Sequence, residues 1–265
     1  MHMTKGTFLI TGASDGIGAV YADRLARRGH DLILVARRAD RLEALAATLS
    51  AETGVKVETL GADLAKPEDL ARVERRLRED EAITGLVNNA GIAGETSFVG
   101  SDPAYLTGMI DLNVLAVTRL AAAIAPRLAE RGSGTIVNMT SVTALMPDGF
   151  TAVYPASKAY VLAFTEALHV ELGSRGVQVQ AVLPGITRTP IWTEEQLASL
   201  PADMVMDVED MVDAALKGLD LGETITIPAL PDTADLDAYL DARRALRPNL
   251  SRNRPADRYA DRYRA

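Results

Sequence analysis

The chain contains no cysteine and only three histidines in 265 residues. Without thiols there is no disulfide, no thiolate metal site and no cysteine nucleophile, and His2, His30 and His169 are too scattered to suggest a metal cluster. Long apolar runs are also missing. No uncharged apolar stretch reaches the length of about 18 residues that reads as a membrane span, and "MHMTKGTFLI" leaves no room for a signal peptide before the first strand. The expectation is a cytoplasmic protein with no membrane partner. A positive surplus is absent too, since the net charge of −8 argues against nucleic acid as a partner. The acidity is uneven: eight arginines against Asp257 and Asp261 give the tail, about 243–265, a surplus of six and leave the first 242 residues at −14. A basic tail carrying Tyr259 and Tyr263 on an acidic body is expected to dock on protein, its own subunit or a neighbour.

What the chain does have is 48% apolar residues in 28.3 kDa, enough for one core, so a single domain over 1–265 is expected. Short β-branched runs alternate with stretches at helical spacing. "TFLITG", "DLILVA", "VKVETLG", "ITGLVNNAG", "GTIVNMTS", "VQVQAVLPG" and "ETITIP" read as strands, and the segments between them read as helices. One of these is "PEDLARVERRL", which should start at Pro67 because proline suits a first helical turn. The fold class is α/β: a Rossmann-type doubly wound parallel sheet of about seven strands with helices on both faces, joined by right-handed crossovers.

"LITGASDGIGAVYADRLARRG" runs strand, glycine turn, helix, with Gly12, Gly16 and Gly18 in the turn. Glycines let backbone approach a pyrophosphate, and the helix N-terminus offers unpaired N–H groups to it. After the second strand, folds specific for NAD usually carry an acid for the ribose 2′-hydroxyl, whereas this chain reads "LVARR". Arg37 and Arg38 suit a 2′-phosphate, because a guanidinium pairs with phosphate in a fork, so NADP(H) is the expected cofactor. Asp15 in the glycine turn adds an opposing charge nearby.

Tyr154 and Lys158 in "YPASK" are four apart, hence on one helix face, and Pro155 fits a first turn. A neighbouring ammonium favours the phenolate and is expected to lower the tyrosine's pKa from about 10.

These pieces together resemble the short-chain dehydrogenase/reductase family in its compact, NADP-preferring form, over Thr7 to about Pro228. "TGASDGIG" resembles the family's TGxxxGxG loop, which implies cofactor contacts at Gly12, Ser14, Asp15, Gly16, Ile17 and Gly18. Asp63 in "ADL" resembles its adenine-contacting acid, which implies a cofactor contact there and at Leu64 beside it, and Asn89, Ala90 and Gly91 follow Asn88 in its NNAG signature. Asn113, Ser141, Tyr154 and Lys158 coincide with its catalytic tetrad, Ser141 lying thirteen residues before the tyrosine. "PGITRT" resembles the stretch beside the nicotinamide, through Pro184, Gly185, Thr187 and Thr189.

The resemblance implies an oxidoreductase acting on a small-molecule carbonyl or alcohol. Tyr154 would pass a proton to the substrate oxygen, Ser141 would hydrogen-bond the same oxygen, Lys158 would hold the nicotinamide ribose, and Asn113 would anchor a water that resupplies protons. It also implies a homo-oligomer, a tetramer or dimer built through the long helices around Asn113 and Tyr154. The rival is a catalytically idle NADP-binding scaffold, which would usually have lost a tetrad member. Substrate choice falls to variable segments that carry Phe98, Leu145, Met146, Phe150, Ile191, Trp192, Leu197 and Met204, including a lid at about 186–206. Those side chains fit an apolar ketone better than a sugar or an acid.

Overall fold

The computed structural model describes residues 5–94, 97–148 and 151–262, so His2, Phe150 and Tyr263 lie outside the described residues. Two compact units make up the chain, 1–229 and 230–265.

The first unit alternates strand and helix as the periodicity predicts: β1 (Thr7–Thr11), α1 (Gly16–Arg27), β2 (Asp31–Ala36), α2 (Ala39–Thr53), β3 (Val57–Gly61), α3 (Pro67–Glu79) and β4 (Ile83–Asn88). Next come α4 (Pro103–Ile110), a π-helical turn (Asp111–Ala116), α5 (Val117–Arg131), β5 (Gly134–Met139), α6 (Val153–Gly173) and β6 (Val177–Val182). The remainder is β7 (Thr187–Arg188), α7 (Glu194–Ala198), β8 (Met206–Asp207), α8 (Val208–Leu221) and β9 (Ile225–Thr226). Seven strands form one parallel sheet in the order β3-β2-β1-β4-β5-β6-β9, and β7 pairs with β8 separately. This is the doubly wound Rossmann-type α/β fold. The order reverses between β1 and β4, which opens a crevice at the carboxyl ends of those strands.

Both faces of the sheet are apolar because both are covered. Phe8, Ile10, Leu32 and Leu34 pack toward α1, α2 and α8, while Leu9, Ile33, Val35 and Leu86 pack toward α3 and α5. The helix read through "YLTGMIDLNVLAV" does run from Pro103 to Arg131, but its middle is wound as a π-turn around Asn113. By length and composition this helix could cross a membrane, with a mean hydropathy of 1.5 over its best 18-residue window, 44% of which is buried inside the fold. The second unit holds α9 (Thr233–Ala245), started by Asp232 accepting from Ala234 N–H, and then short turns through Arg262.

β1 and β4 pack tightly where Phe8 is paired with Gly85. A Cβ on Gly85 would sit 2.2 Å from the Phe8 ring, and that ring is pinned edge-on by His30, with centroids 4.8 Å apart. Gly85→Ala should therefore lower the unfolding free energy in urea by ~1–3 kcal/mol through overpacking. Gly61→Ala, whose new methyl would meet only Ala39 at 3.8 Å, should change it by less than about 0.5 kcal/mol. Equal effects of the two substitutions would show that the Phe8–Gly85 contact is not the tight one.

Candidate active site

One cavity of about 920 Å³ opens along the crevice. Its near end is the glycine turn after β1. Gly12 has φ +67° and no room for a side chain, since a Cβ there would lie 2.8 Å from Asn89 Nδ2, and one on Gly18 would lie 2.3 Å from the Gly12 carbonyl oxygen. Asn89 explains that crowding, because its carboxamide donates to the carbonyls of Thr11 (3.0 Å) and Gly12 (3.2 Å). In return, Thr11 Oγ1 accepts from the N–H groups of Asn89 (2.9 Å) and Ala90 (3.0 Å). The glycine turn and the NNAG segment are thus one clasped unit. Its Asn88 lies outside the cavity and donates to Asn138 Oδ1 at 2.9 Å inside the sheet.

The next part of the wall is set by the ends of β2 and β3. Arg37 makes no hydrogen bond or ion pair among the described residues. Arg38 donates to Ser14 Oγ at 2.9 Å and forms an ion pair with Asp15. Asp63 accepts from Ala65 N–H at 3.2 Å, an Asx-type turn that holds the chain against the cavity wall beside Leu64.

At the far end, Ser141 begins a short 3₁₀ turn after β5, and its Oγ accepts from Thr143 N–H at 3.2 Å. With that lone pair occupied, the hydroxyl proton faces Tyr154 at the cavity wall. Tyr154 and Lys158 lie on the first turns of α6, one above the other, with Lys158 Nζ 5.7 Å from the centre of the phenol ring. The lysine is buried and donates to the Met139 carbonyl at 3.1 Å, and burial pulls its pKa down to about 8. The expected lowering of the tyrosine pKa is not what the geometry yields. Burial raises the Tyr154 pKa, a hydrogen bond from Ser141 lowers it in part, and Lys158 is not a cause of the shift. The ammonium sits beside the ring rather than at the hydroxyl, so its stabilisation of a phenolate is weak here.

Asn113 lies beneath this floor. Its Nδ2 donates to the Ile92 carbonyl (2.9 Å) and to Ser157 Oγ (3.2 Å), while its Oδ1 accepts from Ile92 N–H (2.9 Å). Asn113 makes this two-way bond from within the π-turn, a kind of turn frequent at functional sites.

All the residues expected at the site line the cavity except Gly18 and Asn113, which lie behind its wall. Of the variable apolar side chains, Ile191 and Trp192 line it, whereas Phe98, Met146 and Met204 are exposed elsewhere. Three residues went unread in the sequence: Ile92, Thr143 and Ser157, each acting through the backbone or on another site side chain. Ser157 lay inside a quoted motif, but a hydroxyl facing the helix's own Tyr154 carbonyl, at 2.7 Å, leaves no spacing signal.

The family model for short chain dehydrogenase matches residues 6–199. The chain belongs to the short-chain dehydrogenase/reductase family. Among solved structures of the family, a short-chain dehydrogenase from Sphingobium yanoikuyae in complex with NADPH is similar at 51% identity and a TM-score of 0.92, over 96% of this chain and 100% of that one. The bulky-bulky ketone specific alcohol dehydrogenase from Comamonas testosteroni is similar at 45% identity and a TM-score of 0.89, over 96% and 98% of the two chains. Very-long-chain 3-oxoacyl-CoA reductase of Anas platyrhynchos is 34% identical over 66% of this chain, and the match spans 58% of that protein's length. The family is one of NAD(P)-dependent oxidoreductases.

The buried lysine yields a pH test. Below about pH 8 both folded and unfolded chains hold its proton and the burial penalty is in full force; between about 8 and the ordinary lysine value of 10.5 only the unfolded chain holds it. The unfolded state binds more protons there, so this group makes stability rise with pH, by at most about 1.4 kcal/mol per unit. Urea unfolding of the wild type and of Lys158→Met at pH 7.5 and 9.5 should show the wild type gaining on the variant across that interval. Parallel pH profiles would show that Lys158 is not a buried cation.

Proposed function

We propose that this chain is an NADP(H)-dependent reductase/dehydrogenase that moves hydride between nicotinamide and a carbonyl/alcohol pair, with an apolar, bulky ketone as substrate. The observation that carries the reading is one cavity that holds Ser141, Tyr154 and Lys158 at one end and, at the other, Arg37, which has no partner among the described residues. The cradle fits a dinucleotide. Side chains are excluded where a pyrophosphate would need backbone approach, at Gly12 and Gly18, and Asp15 caps no N–H of α1, which leaves that helix end open to an anion. NADPH in the Sphingobium relative supports the same choice.

When bound, the cofactor supplies the hydride chemistry. The chain's own part is to bind, orient and move a proton. Tyr154, kept neutral by burial, donates its hydroxyl proton to the substrate oxygen, and Ser141, held by Thr143 N–H, donates a hydrogen bond to that oxygen as negative charge develops. Lys158, seated against the Met139 carbonyl, would hold the cofactor's ribose, and Asn113 fixes the loop at Ile92 in the cavity wall. Ile191 and Trp192 supply apolar wall, consistent with bulky ketones as handled by the Comamonas relative. We further infer a substrate lid over 186–206, a cytoplasmic location away from membranes, and a homo-oligomer. Exposed Ile110, Leu115, Tyr160 and Val170 on the long helices support the last of these.

Two measurements test the reading. With a panel of bulky ketones and NADPH absorbance as readout, Tyr154→Phe should bind cofactor normally and lose about 10²-fold or more in kcat. More than about a tenth of the activity remaining would remove Tyr154 from the role. The wild type should prefer NADPH to NADH, and Arg37→Asp should abolish or reverse that preference by repelling the 2′-phosphate. Equal use of both cofactors by the wild type would reduce Arg37 to solvated charge.

A further inference from the structure

Asp15 is the N-cap residue of α1, yet its side chain caps nothing. Aspartate at that position ordinarily accepts from the second or third N–H of its own helix. Here the carboxylate turns instead across the cavity to the loop after β2. Its Oδ2 is the ion-pair partner of Arg38 Nη2 and lies 3.4 Å from Arg41 Nη1. Arg38 Nη2 also donates to Ser14 Oγ at 2.9 Å, so both hydrogens of that nitrogen are used. A guanidinium has five N–H donors, and the three on Nε and Nη1 remain for an incoming anion. Arg37, one residue earlier, is wholly unengaged among the described residues.

We propose that Asp15 is a specificity-determining residue that acts against the 2′-phosphate. It holds Arg38 in place across the cleft and cancels one of the three positive charges of Arg37, Arg38 and Arg41, so that NADP(H) binds more weakly, and leaves faster, than the arginines alone would allow. The inference rests on the reading of NADP(H) as cofactor.

Two effects of the acid compete. Holding Arg38 in place spares some ordering on binding, but the side chains of Asp15, Arg38 and Arg41 are 31%, 45% and 53% exposed, and a pair so exposed orders its partners only weakly. The repulsion is larger. A phosphate monoester carries about 1.5 to 2 negative charges, and any phosphate on Arg38 lies within one guanidinium of a fixed carboxylate in the same cavity. A ribose bearing a hydroxyl at that position feels no such repulsion and finds in Asp15 an acceptor. The carboxylate therefore narrows the gap between the two cofactors.

The test is nucleotide binding without turnover, by fluorescence titration of NADPH and NADH. Asp15→Asn keeps the size, the N-cap preference and an oxygen for Arg38. It should lower the NADPH dissociation constant about three- to tenfold and leave that of NADH within about twofold. The gain should shrink in 0.5 M salt, where screening is much shorter-ranged than the ~10 Å of 0.1 M salt. Asp15→Ser should act in the same direction, which keeps the test open if the asparagine variant folds poorly. NADPH binding that is unchanged or weaker in these variants overturns the inference and makes Asp15 a neutral tether or an aid to Arg38. Absence of any NADPH preference in the wild type overturns the cofactor reading itself, and the inference with it.

Discussion

The seam between β1 and β4 is the constraint on which the rest depends. The ladder between these two parallel strands is extended past their carboxyl ends by a reciprocal tie: Thr11 Oγ1 receives two backbone N–H groups from the NNAG segment, and Asn89 returns two bonds to the carbonyls of Thr11 and Gly12. Glycine is required at 12 because a side chain would collide with the asparagine that holds the turn. One polar exchange thus shapes the cradle and closes the top of the sheet at its topological switch point.

Several other polar groups near the site are paired in the same way, although Asn88 Oδ1 and Thr143 Oγ1 are buried without a partner among the described residues. The floor between β5 and α6 buries Lys158 against the Met139 carbonyl, and Thr140 Oγ1 donates to the carbonyl of Lys158 at 2.7 Å. Deeper in, Asn138 links Asn88 to Thr165 through 2.9 Å bonds on either side. Partners of this kind fix side-chain direction in a way apolar contacts do not, which suits a site whose groups must meet one substrate atom.

Much of the architecture could be read from periodicity, since buried strands between amphipathic helices carry their pattern in every residue; α3 begins at Pro67 as its proline required. The Tyr154–Lys158 spacing located a helix face correctly but not the electrostatics on it. Burial acts over the whole surroundings of a group, and the distance from ammonium to hydroxyl depends on rotamers that spacing does not encode. The π-turn at Asn113 was illegible for a related reason. Asn113 within it bonds Ile92, a partner 21 residues away, and the local pattern reads as uninterrupted helix. Asp15 was legible as a charge in the wrong place, but its attachment to Arg38 depends on two loops meeting in space.

The two-residue ladder of β7 and β8, reinforced by Arg188 donating to Asp207 at 3.0 Å, brings together the ends of the segment that carries Ile191 and Trp192. Such a segment is a loop pinched at its neck. The entropy lost in closing a pinched loop grows only logarithmically with length, about 0.6 kcal/mol per doubling. Residues can be inserted, removed or exchanged beyond the neck while the registers of the main sheet stay as they are. The wall that Ile191 and Trp192 add to the cavity is in this sense a replaceable cassette on a frame that does not register the exchange, and chains sharing the frame are free to diverge in the size of molecule the cavity admits.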